Sequence, residues 1–197
     1  MGGIALVSSL YLPSAEWFLA VKHHERFYID TSEIWKKQTL RNRTYILTAN
    51  GIQGLSIPVI HNGGRAMMMK DIRISYSEPW VRVHKGALVS AYNSSPFFEY
   101  FRDELFEILE RKPAFLVDLN NDTLELLIRK SKLNIQHCPD SLNMNHVDLK
   151  QLSDLEQQKS GIPPVSAYPQ VFSYKTSFQP YLSAIDILSN TGAITHR

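Results

Sequence analysis

The sequence is short of several things, and each shortage closes a line of explanation. It holds one cysteine, Cys138, so no intrachain disulfide can form and a reducing compartment is expected. Seven histidines never reach zinc spacing: His23 and His24 are adjacent, and His137 beside Cys138 has no second pair, so no metal site is expected. No apolar run is long enough to span a bilayer. The stretch MGGIALVSSLYLP lacks a basic segment ahead of its short apolar run, which argues against a secretory leader. Leu6 stands where a myristoylation signal needs Ser or Thr. The formal charge is only +2, so there is no global case for binding nucleic acid or membrane, and electrostatic arguments must be local. A dinucleotide fingerprint, a P-loop and a nucleophile elbow are all missing; GLSIP, residues 54–58, lacks the closing glycine. The expectation is a cytoplasmic protein for which the sequence names no cofactor.

What is present is an ordinary globular composition. Hydrophobic residues make up 44% and charged residues 20% of 197, which suits one domain over residues 1–197. IALVSSLYL reads as a buried strand, SAEWFLAVKHHE as a helix and RFYID as a second strand, together the size of a right-handed βαβ unit. Asp30 followed by Glu33 has the spacing of a helix cap, so a short helix is expected to carry IWKKQ. TYILTANGIQGLSIPVI reads as a hairpin with Asn50 and Gly51 at the left-handed positions of a type I′ turn. DIRISY is a half-buried strand. From Trp80 the period becomes helical, with Trp80, Val83, His84, Ala87, Leu88 and Ala91 on one stripe. Ser95 and Pro96 suit the start of another helix, with Phe97, Phe101, Leu105 and Ile108 as its seam, and a third runs through AFLVDLNNDTLELLIRKSKL. Residues 139–166 read as a polar surface excursion, QVFSY as a returning strand, and YLSAIDILSNTG as a helix stopped by Gly192. The fold expected is α/β: a mixed sheet opened by the βαβ unit and extended by the hairpin, with helices packed on it.

The chemistry concentrates in KKQTLRNR, residues 36–43. Lys37, Arg41 and Arg43 repel one another unless an anion or water separates them, while Gln38 and Asn42 offer directional donors beside them. A solvated helix end would account for the same charges. If the chain is extended by Leu40, Arg41 and Arg43 project to one side and can converge on a phosphate or carboxylate. His84, on an apolar stripe, reads either as a hydrogen-bonded core residue or as a catalytic acid/base. Asp30 could cap a helix or act as a base.

LYLPSAEWF, YID, KKQTLRNR, GLSIPV, KDIRISYSEPWVRVHKGALVSAYNSSPFFEYF and the late YPQVFSY and YLSAIDILSNTG occur in an order that resembles the WbqC-like family. Many members carry His-Gln-Pro just ahead of Tyr-Leu-Pro; this chain has Ser8, Ser9 and Leu10 there. The resemblance implies a place in surface-polysaccharide assembly of the O-antigen type and a transferase role, for glycine in some members; it assigns no catalytic residue, and taken with the residues above the leading expectation is a transferase using a sugar nucleotide or an acyl or glycyl compound. Lys37, Gln38, Arg41, Asn42 and Arg43 would then bind an anionic small molecule and His84 would serve as the acid/base. A second class is a non-catalytic ligand-binding assembly protein of the same pathway, which the loss of the histidine favours. A third is an RNA-binding module using LRNRTY with Tyr45 for stacking, which the weakly basic surface argues against.

Overall fold

The computed structural model describes residues 3–24, 26–60, 66–138 and 146–194. The chain opens with strand β1 (Ile4–Val7), helix α1 (Ala15–Lys22) and strand β2 (Arg26–Ile29). β1 and β2 pair in parallel, Ala5 opposite Phe27, so the βαβ unit forms as read. Every residue of β1 is buried, as a central strand of a parallel sheet requires. Helix α1 is covered on all sides except at Lys22, which suits a sequence apolar but for the buried Glu16, whose carboxylate accepts from the Val165 and Tyr181 N–H groups. The Ser14 side chain caps it, accepting from the Trp17 N–H at 3.2 Å. Trp17 meets both Phe18 and Phe27 edge to face and pins helix to sheet.

The next elements are β3 (Arg43–Thr48), β4 (Gly51–Ser56), β5 (Val59–Ile60), β6 (Arg73–Ile74), and helices α2 (Trp80–Tyr92), α3 (Glu99–Glu110) and α4 (Leu116–Ser131). Strands β7 (Gln136–His137) and β8 (His146–Asp148) and helices α5 (Leu155–Gly161) and α6 (Ala184–Thr191) follow. The central sheet has the order β7-β2-β1-β8, all parallel. The molecule is therefore α/β. The β3–β4 hairpin and the β5–β6 pair stand as separate two-stranded antiparallel sheets beside the parallel one rather than extending it.

Several local expectations change. No helix carries IWKKQ: residues 31–33 turn, Ile34 makes an isolated antiparallel bridge to Met68, and the backbone of 31–35 is pinned to residues 67–70. Trp35 N–H donates to Met67, Met69 N–H to Glu33 and Lys70 N–H to Thr31. At the hairpin tip only Gly51 takes a left-handed backbone, φ 103°, with Ala49 and Asn50 as the loop, so the turn is not type I′. Ser95 does not cap α3; its hydroxyl donates back to the Tyr92 carbonyl, and regular helix starts at Glu99. QVFSY stays in turns. The stretch read as a surface excursion contains β8, which completes the sheet beside β1, and α5, whose Gln158 is fully buried; its residues 139–145 lie outside the described ones. The last helix, α6, ends as expected at Gly192, φ 73°.

Candidate functional site

Three of the four parallel strands deliver polar side chains at their carboxyl ends. Ser8 follows β1, Asp30 follows β2, Asp148 ends β8 and Lys150 begins the 3-10 turn just beyond it. In open parallel sheets this edge is where ligands bind, because neighbouring loops diverge there and leave a crevice. Here the crevice has a volume of about 520 Å³ and is lined by Glu33, Lys36, Thr39, Arg41, Lys150 and Asp154, among others.

Arg41 is its anchor, although it is only 2% exposed. Its guanidinium forks onto Glu33, Nε to Oε1 at 2.9 Å and Nη2 to Oε2 at 2.6 Å. Nη2 also donates to the Ser8 hydroxyl at 3.1 Å, and Nη1 to Thr39 Oγ1 at 3.2 Å. Ser8 in turn donates to Glu33 Oε2 at 3.0 Å. The segment bearing Arg41 is fixed from three sides. Tyr11 N–H donates to the Leu40 carbonyl, Leu40 N–H donates to that of Ser153, and the buried Asn120 amide on α4 donates to both the Arg41 carbonyl and Ser9 Oγ. The anion that the arginine demands is thus internal. A buried ion pair of this kind contributes little net attraction but fixes its partners rigidly.

Lys150 supplies the second cation. Its Nζ lies 2.9 Å from Asp30 Oδ2 and 3.7 Å from Asp148 Oδ2. The hydrogen bond to Asp30 pushes its pKa up, so it stays an ammonium. Lys36 also lines the crevice, is exposed, and has no ion-pair partner among the described residues. The lining mixes both signs, which suits a polar ligand with several hydrogen-bonding groups better than a bare anion.

The residues singled out from KKQTLRNR do not all meet here. Lys37 and Gln38 are exposed, and Gln38 takes a left-handed backbone, φ 57°, that reverses the chain. Asn42 donates to the Ile57 carbonyl at 2.8 Å and serves to join β3 to the chain after β4. Arg43 donates from Nε to Ser56 Oγ, its neighbour across the hairpin, and lines a separate, smaller cavity. Arg41 and Arg43 do not converge because residues 40–42 form a turn, and β3 begins only at Arg43; the two-residue alternation of a strand does not apply between them. Tyr45, offered for base stacking, packs half-buried against the core.

His84 is 2% exposed on α2. Its Nδ1 lies 3.0 Å from the Tyr11 hydroxyl, and its ring stacks on Tyr11 and meets Trp80 edge-on. Burial pulls its pKa down to about 4, against a weaker opposing hydrogen bond at the Ser56 backbone, so the ring is neutral at pH 7. It lines neither the 520 Å³ crevice nor the groove of about 650 Å³ beside α2. Glu33, Ser8, Lys150 and Asn120 are the site residues that periodicity missed. Ser8 and Asp30 carried one usable signal: each directly follows a strand of the βαβ unit.

Among the described residues no group of three or more His, Cys, Asp or Glu could hold a metal ion, and no helix is long and apolar enough to cross a membrane. No solved structure matches the chain. It is 26% identical to the uncharacterized protein Rv1507c of Mycobacterium tuberculosis, over 98% of this chain and 95% of that protein. The model of the WbqC-like protein family matches residues 9–161, a span that takes in Glu33, Arg41, Asn120 and Lys150, and the chain belongs to that family.

Proposed function

We propose that this protein is a transferase of surface-polysaccharide assembly, of the O-antigen type, that takes a polar, anion-bearing donor in the crevice at the carboxyl edge of the parallel sheet. A sugar nucleotide or an acyl or aminoacyl compound has the required chemistry. The observation that carries the reading is the crevice itself: about 520 Å³, beside a rigid Arg41–Glu33 floor, with Lys36 and Lys150 at its walls. Lys36, with Lys37 on the adjacent exposed stretch, attracts the donor's anionic part. Lys150 and the spare Arg41 donor hydrogen orient it, and the carboxylates of Asp148 and Asp154 receive its hydroxyl groups. Gln38, Asn42 and Arg43 act on this ligand through the course of the chain rather than by lining the crevice.

Titrating the protein with sugar nucleotides, acyl-CoA thioesters and amino acids while following thermal unfolding tests this directly. One class should raise the midpoint saturably, and a Lys36→Ala, Lys150→Ala double variant should lose the effect. No response from any class would remove the reading. A second reading, a ligand-binding assembly protein without catalysis, is favoured by His84, which is sealed and neutral instead of poised near pH 7. Incubation of the stabilising ligand with acceptor glycans separates the two: product detected by mass spectrometry marks the transferase, saturable binding without product the assembly protein.

A further inference from the structure

A pocket of about 180 Å³ opens where the start of α3 meets the ends of α4 and α6. None of its lining residues belongs to the crevice. Its walls are the rings of Phe97, Tyr100 and Phe101 with the side chain of Leu188. A cavity of about 150 Å³ is enough for benzene, so there is room for one aromatic ring.

Phe97 and Tyr100 keep 38% and 68% of their surface exposed, and their ring centroids are 6.2 Å apart. The apolar surface left in water is therefore contiguous, which a scatter of single exposed residues is not. The wall is also fixed. Phe97 N–H donates to the Ser189 carbonyl at 2.9 Å, and a Cβ on Gly192 would stand 2.8 Å from the Phe97 ring. That ring thus lies directly on the chain where α6 stops. The charged part of the lining is of one sign: Arg129, Lys130 and Lys132, with no carboxylate. Glu104, outside the lining, pairs with both Arg129 and Lys130, while Lys132 has no ion pair among the described residues. Lys132 ends α4 with a left-handed backbone, φ 60°, at a position where glycine or asparagine is favoured because a Cβ strains it. Cations suit the negative end of a helix dipole, but Arg129 and Lys130 in the last turn already supply them.

We infer that this pocket binds a small aromatic carboxylic acid, at a site independent of the crevice and of its donor. The ligand's ring covers Phe97 and Tyr100 and meets Leu188, packing offset or edge-on as aromatic pairs prefer. Its carboxylate, a short spacer away, accepts from the Lys132 ammonium, with Arg129 and Lys130 adding positive charge nearby. Space and charge together set the class. A nucleotide or a long acyl chain exceeds the volume, an amine meets like charge, and an acid without a ring leaves the aromatic walls in water.

Saturation-transfer NMR and thermal unfolding with phenylacetate, against acetate and phenethylamine at matched ionic strength, test the site in the full chain. Phenylacetate should bind saturably and raise the midpoint, while acetate, which lacks the ring, and phenethylamine, which reverses the charge, do not. Lys132→Asn removes the ammonium yet suits the left-handed backbone, so it should unfold at or above the wild-type midpoint and weaken phenylacetate about fivefold or more. Tyr100→Ala, at an exposed position, should fold normally and weaken it similarly. No saturable response to phenylacetate, equal binding of phenethylamine, or undiminished affinity in both variants would overturn the inference. A wild-type dimer in sedimentation that Tyr100→Ala dissolves would assign the face to a second copy of the chain and overturn it equally.

Discussion

The crevice and the smaller cavity that Arg43 lines, which Gln158 of α5 also borders, are built from neighbouring pieces of one chain, yet they treat their polar groups differently. In the crevice, Arg41, Glu33, Ser8 and Thr39 satisfy one another and Lys150 has defined partners, while the Asn120 amide nitrogen has two acceptors and its oxygen has no partner among the described residues. In the smaller cavity, the buried Gln158 amide has no hydrogen-bond partner among the described residues, and Arg43 is only partly used. The lesson is that charge density in a sequence does not say where a ligand sits. The most conspicuous cation, Arg41, is consumed by the protein's own architecture, while a quiet glutamine on a short helix is left with unmet capacity.

The sharpest way to break the comparison is to unbalance the paired side. Arg41→Ala strands the Glu33 carboxylate in a buried position and should cost about 3–5 kcal/mol in urea unfolding. Replacing Arg41 and Glu33 together by Met and Leu should cost clearly less than the sum of the single changes, because neither charge is then left alone. An additive double variant would show that the two residues do not act as a pair.

Acid titration comes next and probes the wall of the smaller cavity, since Tyr11 lines it and bonds His84. His84 has a folded pKa of about 4 against 6.5 when unfolded, so below pH 6.5 the unfolded chain takes up a proton that the folded one refuses. Stability should therefore be unaffected by this group above pH 6.5 and fall by roughly 3 kcal/mol as the pH drops toward 4, from 1.36 kcal/mol per unit. Denaturant midpoints measured across that window should show the decline in the wild type and a flatter profile in His84→Gln.

Smaller effects sharpen the picture. Asn120→Ala removes donors from Ser9 and from the Arg41 carbonyl and should destabilise by about 1–2 kcal/mol. It should also loosen ligand binding in the crevice by misplacing Arg41, which calorimetric titration would detect. Lys36→Ala should leave the unfolding free energy within about 0.5 kcal/mol of wild type. Its effect belongs to ligand affinity, a loss of a few-fold that shrinks as salt is raised. A loss independent of salt would mean that Lys36 makes a shielded contact rather than a rim attraction.

Much of the frame was legible because local and tertiary demands agreed. Ser14 caps α1, Trp17 and Phe18 lie in an apolar run, Gly192 stops α6, and the apolar flanks of Asn50–Gly51 close a hairpin even though the turn differs in type. Where a local signal failed between β2 and β3, distant chain overrode it. Asp30 and Glu33 have helix-cap spacing, but the carboxylate of Glu33 is claimed by Arg41 and its backbone by Met69. The three residues of β8 are all exposed, with no apolar alternation, so nothing in His146–Val147–Asp148 announces a sheet strand. The site suffered likewise. Arg41 could be named from its charge, but its partner Glu33 and its neighbour Ser8 are brought to it only by the fold.

The placement of β8 against β1 bears on how the molecule is made. Ser8 and Lys150, which meet at one end of that pairing, are 142 residues apart in sequence. Closing so long a loop is entropically slow, and parallel pairing has no tight turn to start it. β1 and β2 can dock as soon as α1 has folded between them, whereas Lys150 reaches Asp30 only when nearly the whole chain is in place. The crevice is thus a late product of folding. A chain truncated or stalled before β8 would expose one edge of β1, a fully apolar strand, to other chains.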